Sequence, residues 1–245
     1  MTEPPPLVWD LPATPRDARL NLSQATIAAA AIRIADAEGE AAVTMRRVAR
    51  ELGCSTPMTL YRYVGGKDGV LDLMIDEVFG EIGLPDRPGP DWRVSMRLLA
   101  EQSRKALRRH PWFTALSHQR PLFGPHALAH NEWSLAALDG SGLPIGRAMT
   151  VAGLVFGYAV SFAQNEAEED RMRTRIGVRS DSELHAMAAP YLGRITTDGR
   201  YPLLSRWLAE PDLATADEQF ALGLDCLLDG VERRILPQGG EHVVD

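Results

Sequence analysis

Two helices of about two turns each, at 45–52 and from 57 to about 64, are separated only by Gly53-Cys54-Ser55. No other feature limits the possible folds so strongly. Helices this short are marginal on their own. A chain keeps such a pair where the second rod must stand clear of its scaffold, as a helix-turn-helix does when it enters a major groove. Thr44 is placed to cap the first helix, and Thr56 the second, with Pro57 at its first helical position. Ala49 is small where the rods cross. Val48 and Leu52 face a core from the first helix, and Leu60 and Val64 from the second. Pro57, Met58, Thr59, Tyr61 and Arg62 are then left outward.

The flanking chain reads as helix almost throughout. Ser23 caps a helix over Gln24–Glu38 that Gly39 stops. After Gly65-Gly66, the residues Val70, Leu71, Met74, Ile75, Val78, Phe79 and Ile82 form one apolar stripe at helical spacing, predicting a fourth helix over 68–82. Pro85, Pro88 and Pro90 then punctuate the chain. Further helices are expected at 91–110, 125–139, 145–173, 182–192, 200–209 and 216–235. Neither β-type alternation nor an internal repeat is evident. The expected architecture is all-α: a flexible Pro-rich arm at 1–20, a helix-turn-helix unit at 21–82, a larger helical domain at 90–236 and a tail at 237–245.

Charge is informative only locally. The 245 residues carry 26 Lys+Arg against 33 Asp+Glu, a net −7, so a nucleic-acid partner would have to show as a patch. One exists. Between 41 and 67 the basic residues Arg46, Arg47, Arg50, Arg62 and Lys67 face Glu51 alone, a local +4 that leaves −11 elsewhere. Arg16 and Arg19 in the arm lie within reach of a minor groove. Cys54 and Cys226 make neither a disulfide framework nor a metal spacing. The first residues lack the apolar core of a signal peptide, and the uncharged stretch 148–163 falls short of the ~20 residues needed to span a bilayer. A soluble, cytoplasmic protein with no membrane partner is expected.

The run from Thr44-Met45-Arg46-Arg47-Val48 to Leu52-Gly53, followed by Met58-Thr59-Leu60-Tyr61-Arg62-Tyr63-Val64 and Lys67-Asp68, resembles the DNA-binding domain of the tetracycline-repressor (TetR) family over residues 20–80. Pro111-Trp112, Arg120-Pro121 and the long helix after Gly142-Leu143-Pro144 resemble the tetracycline-repressor-like C-terminal subgroup. The resemblance implies a homodimeric repressor on a double-stranded, palindromic operator, released by a small-molecule effector. It implies that Thr59 meets base edges while Pro57 and Met58 make apolar contact. Tyr61, Tyr63, Lys67 and Thr44 would grip phosphates, and Arg46 the backbone or a groove edge. Arg62 falls at a variable reading position, where guanine is its natural partner. The stretch from Gly53 to Tyr61 is one residue longer than the family pattern. Ser55-Thr56-Pro57 is therefore an extended turn, and the individual roles of Ser55 to Met58 stay open.

In the larger domain, the helices at 145–173 and 216–235 are the candidates for dimerisation. The first mixes Gly146, Gly153 and Gly157 with bulky apolar residues, and the second carries Phe220, Leu224, Leu227, Leu228, Val231 and Ile235 as a near-heptad stripe. Candidate pocket residues are Met96, Trp112, Phe113, Arg120, Phe123, His126, His130 and Trp133, joined by Tyr158 and Phe162: a mostly apolar set with a few polar anchors. In the tetracycline-binding members, a histidine and a glutamate hold a magnesium–drug chelate. Here Asn165, then Glu166, stand where that glutamate would align, which argues against tetracycline. No metal or cofactor is expected. Two other readings remain: a DNA-binding regulator without a small-molecule effector, and an all-α metal-dependent enzyme using His118, His126 and His130 with Glu132 or Glu166. The second lacks a phosphate loop, a nucleophile motif and adequate metal spacing.

Overall fold

A computed structural model describes residues 7–12, 22–196, 199–209 and 214–234, and every regular element among them is a helix. The first, α1 (Gln24–Glu38), starts at a capping box: Thr26 N donates to Ser23 Oγ at 3.1 Å, and Ser23 N to Thr26 Oγ1 at 2.9 Å. Its alanines let α4 (Lys67–Gly80) approach closely. Between them sit α2 (Met45–Glu51) and α3 (Met58–Val64). Thr44 Oγ1 accepts from Arg47 N at 3.1 Å, and Gly53 takes φ +69°, the left-handed turn that ends α2 one residue earlier than expected. Pro57 already has helical dihedrals, and Thr56 Oγ1 accepts from Met58 N at 3.3 Å, so the expected cap is in place.

The remainder is α5 (Trp92–Leu107), α6 (Phe113–Ser117), α7 (Pro125–Leu138), α8 (Ile145–Ile176), α9 (Asp181–Thr196), α10 (Pro202–Ala209) and α11 (Ala216–Arg234). The sequence did not announce α6. Five residues are too few to show a period, and Phe113, Thr114 and Leu116 are buried by the helices packed around them. Both α8 and α9 run several residues past their expected ends, and α9 carries Pro190 within it.

Two apolar cores form, and they do not divide where the prolines do. One gathers α1 to α4 together with Leu107, Trp112, Phe113, Leu116, Ala127, Val160 and Ala163. The other joins Met96 and Leu99 of α5, Trp133 and Leu138 of α7, Val151 and Val155 of α8, and Leu224 and Leu228 of α11. The N-terminal unit thus shares its core with α6 and the far half of α8. By length and composition alone α8 would reach across a membrane, unlike the short 148–163 stretch by itself. Val151, Val155 and Ala159 are fully buried among the neighbouring helices, on one side of a helix whose apolar stretch is 33% buried in all.

Part of the expected mobile arm is ordered against this core. Val8–Asp10 forms a short 3-10 turn with Val8 buried, and Gln24 Nε2 donates to Val8 O at 2.9 Å and Tyr63 O at 3.0 Å. Leu7 to Leu11 is an apolar run broken only by Asp10, and packing Val8, Trp9 and Leu11 outweighs the freedom of a short tail. Arg16, Arg19 and the 237–245 tail lie outside the described residues.

Candidate nucleic-acid interface and effector cavity

On α3, Leu60 and Val64 point inward. This turns Met58, Tyr61 and Arg62 outward, Met58 being 68% exposed, with Pro57 and Thr59 half-buried beside them. Ser55, Thr56, Thr44, Arg46 and Lys67 are exposed around the same end of the unit. Gly69 permits Lys67 to start a new helix so soon after α3, since a Cβ there would collide with the carbonyl of Val64.

Two expectations for this face change. Tyr63 does not stand outward with Tyr61; it is 4% exposed, because it follows Leu60 by one turn and falls on the inner face. Arg62 lies over its ring, 5.0 Å from the centroid, and donates from Nη2 to its hydroxyl at 3.3 Å. Tyr63 therefore positions Arg62. Nor is the basic island wholly available. Arg47 is bound to Glu38 at 2.7 Å and Glu51 at 2.8 Å, and holds the Glu51 carboxyl below its usual range. Arg46 and Lys67 make no ion pair among the described residues.

Behind this face, α4 carries carboxylates at Asp68, Asp72 and Asp76, one turn apart. Arg120 closes on the first two, meeting Asp68 at 3.0 Å and Asp72 through Nε and through Nη2 at 3.1 Å. Those carboxylates, Asp72 above all, push the pKa of the guanidinium further up. Asp76 is buried against the start of α7 and accepts from Ala127 N at 2.9 Å and His126 N at 3.3 Å. His126 also meets it through Nδ1 at 3.2 Å. His110 bridges Asp36 of α1, at 2.9 Å, and Glu81 just past α4, at 3.1 Å, while Trp112 Nε1 donates to Asp36 at 2.6 Å. Sequence reasoning missed Asp36, Asp72, Asp76, Glu81 and His110. Only the four-residue spacing of the α4 aspartates hinted at them.

A cavity of about 710 Å³ opens between the end of α4, residues 84–88 and α7. Phe79, Ile82, Leu84, Pro85, Pro88, Ala129 and Ala136 make its apolar wall, and Asp86, Arg87 and Glu132 add charge. Of the ten candidate pocket residues, His126, His130 and Trp133 line it. Trp133 Nε1 is spent on Pro85 O at 2.8 Å. The other seven lie elsewhere. Met96 is in the second core, and Trp112 and Phe113 in the first. Arg120 is clamped to α4, and Phe123 is exposed. Tyr158 and Phe162 pack with Phe220 on the α8–α11 side. Aromatic residues at helical spacing fill cores as readily as pockets, and this sequence does both.

His130 stands apart. It is 6% exposed, wedged edge-on between Phe79 and Phe156 with centroids 5.2 and 5.0 Å away, and neither ring nitrogen has a hydrogen-bond partner. Burial pushes its pKa down to about 4; the adjacent Asn131 side chain opposes that shift without satisfying either nitrogen.

The histidines expected to ligate a metal in the enzyme reading do not converge. His118 binds Thr114 O at 2.7 Å and His126 binds Asp76, and no three such side chains among the described residues could hold a metal ion. Glu166 is committed to Arg104, at 2.9 and 2.6 Å, beneath the Phe162 and Phe220 rings. On α8 an exposed strip runs through Ile145, Gly146, Met149, Gly153, Leu154 and Gly157, and on α11 Leu222 and Cys226 are exposed.

A profile described as "Tetracyclin repressor-like, C-terminal domain" matches residues 84–235. The HTH-type transcriptional repressor DrrR1 of Streptomyces coeruleorubidus is 34% identical over 237 residues, covering 96% of this chain and 87% of its own. An HTH-type transcriptional regulator of Saccharopolyspora erythraea is 34% identical over 201 residues, 80% of this chain and 84% of its own. Among solved structures, the TetR family protein ActR of Streptomyces coelicolor in complex with (S)-DNPA superposes with a TM-score of 0.68 at 25% identity, over 86% of this chain and 97% of that one. ActR in complex with actinorhodin gives 0.71 at 24%, over 86% and 97%.

Proposed function

We propose, from the premise that this chain belongs to the tetracycline-repressor family of transcriptional regulators, that it is a homodimeric repressor which a small-molecule ligand releases from a palindromic operator. The observation that carries this reading is the outward face of α3, flanked by Arg46 and Lys67, which have no ion-pair partner among the described residues.

On that face Thr44, Arg46, Tyr61 and Lys67 meet phosphates, while Thr59 and Arg62 reach base edges. Met58 and Pro57 add apolar contact at the turn formed with Ser55 and Thr56. Residues 21–82 form the reading head and 90–236 the effector and dimerisation domain. The exposed strips of α8 and α11 pair with their copies as four helices, the glycines of α8 allowing close approach. This sets the two α3 helices about one DNA turn apart, roughly 34–36 Å. The effector enters the cavity at the end of α4. Because α4 runs from that cavity to Lys67, displacing its end alters the spacing. A preference of about 1–3 kcal/mol for the unbound spacing lowers operator affinity 5- to 150-fold. Such a regulator acts in the cytoplasm and needs no cofactor.

Selection of bound sequences from a random DNA pool tests the reading. A two-fold symmetric site is expected. Tyr61→Ala should weaken binding on all sequences alike, whereas Arg62→Ala relaxes preference at one base pair per half-site by about 1–3 kcal/mol. Recovery of no symmetric site, or equal loss on selected and random DNA for Arg62→Ala, would overturn it.

A further inference from the structure

His130 lines the cavity, is 6% exposed, and leaves both ring nitrogens without a partner. Buried polar groups in folded proteins are almost always satisfied, so an imidazole orphaned at both nitrogens asks for an explanation. Packing alone would be served as well by phenylalanine, since the ring is gripped edge-on by Phe79 of α4 and Phe156 of α8. In the ring's present orientation both nitrogens are sealed from solvent. A half-turn of the ring about its Cβ–Cγ bond keeps its plane, and with it both aromatic contacts. The turn exchanges Nδ1 with Cδ2 and Nε2 with Cε1, bringing nitrogen to positions that carbon now holds.

We propose that His130 is the polar contact through which the effector is recognised, and that it selects an uncharged aromatic compound bearing a hydroxyl group. The inference rests on the reading of this cavity as the effector site. A hydroxyl both donates and accepts, and so satisfies either tautomer of a neutral imidazole. A carboxylate could take only the N–H of a neutral imidazole and would leave the other nitrogen unmatched. Its charge would also be buried beside two phenyl rings, with no compensating proton because burial opposes the imidazolium. The acidic Asp86 and Glu132 at the wall disfavour an anion further, against Arg87 and His126. Phe79, Trp133, Pro85 and Pro88 offer flat apolar surface to an aromatic ring, and the Trp133 N–H is already occupied by Pro85. His130 touches Phe79 on α4, so the group that binds it acts directly on the helix that carries Lys67.

The test uses the full-length protein with 1-naphthol, its isostere 1-methylnaphthalene and 1-naphthoate, titrated calorimetrically and by NMR of ¹⁵N-labelled histidine rings. The expected result is that 1-naphthol binds about tenfold tighter than 1-methylnaphthalene, a ~1.4 kcal/mol difference, and tighter than 1-naphthoate. It should shift the His130 ring nitrogens, which 1-methylnaphthalene does not. His130→Phe should abolish the tenfold preference while leaving 1-methylnaphthalene affinity within about twofold. Equal affinity of the two neutral probes, an unmoved His130 resonance, or a preference surviving in His130→Phe overturns the anchor and leaves the cavity reading intact. Tighter binding of 1-naphthoate overturns the choice of an uncharged ligand. If no probe binds, or Ala136→Trp, which narrows the cavity, leaves binding unchanged, the cavity reading fails and the anchor fails with it.

Discussion

The outer face of α3 and the inner face of α4 lie a few residues apart in the chain, yet they treat polar side chains in opposite ways. On α3, Thr59, Tyr61 and Arg62 stand in or near solvent, and Arg46 and Lys67 beside them make no ion pair among the described residues. On α4, Asp72 and Asp76 are buried, and each oxygen has a partner from beyond residue 119. An exposed cation costs little and stays available to a ligand. A buried carboxylate is tolerable only if paired, so it ties α4 to whatever pairs with it. On the proposed reading, the first face binds and the second transmits.

The largest effect that would break this contrast is expected at Arg120. Arg120→Ala leaves Asp72, 8% exposed, without its cation and should cost about 3 kcal/mol in urea unfolding at pH 7. A loss below about 1 kcal/mol would mean that α4 is not held through this pair.

A smaller effect, counted per pH unit, comes from protonation. His130 takes up a proton near 6.5 in the unfolded chain but only at about 4 when folded. The unfolded state therefore binds the proton first. The contribution of His130 to stability is level above pH 6.5 and falls between pH 6.5 and 4, by up to about 1.4 kcal/mol per pH unit. His130→Phe should remove that part of the slope in urea midpoints measured across this range. An unchanged slope would place the orphan imidazole in a wetter site than the structure gives it.

The smallest effect separates two neighbours. Arg46→Ala should weaken operator binding and reduce the salt-dependence slope by about one. Arg47→Ala should leave the slope alone and change affinity less than about twofold, since its guanidinium already serves Glu38 and Glu51. Equal losses from both would show that sequence neighbourhood, not pairing, decides which arginine meets DNA.

Legibility followed the range of the interactions. The capped helices α1 to α3, the turn at Gly53 and the apolar stripe of α4 rest on contacts within a turn or two, and such contacts leave a period in the sequence. Tyr63 was misplaced because it sits one turn from Leu60 and its inward direction depends on where the core lies. Phe79, Leu84 and Pro85 looked like stripe and linker, and nothing local says that a void of about 710 Å³ opens beside them. Trp112 and Phe113 looked like pocket and proved to be core, because burial is a property of what packs around a ring.

Sequence alone settled that the fold is all-helical, that a short helix opens near Pro57 and ends near Val64, and that Thr59, Tyr61 and Arg62 lie on its outer side with Met58. Each of these follows from neighbours along the backbone. Only the tertiary structure decided which charges are spent: Arg120 reaches Asp72 across 48 positions, His110 joins Asp36 to Glu81, and His130 is left unmatched between two phenyl rings. The reason is physical. Spacing along a helix fixes the direction of a side chain, but whether it meets a partner, water or a void is set by segments that arrive from elsewhere in the chain.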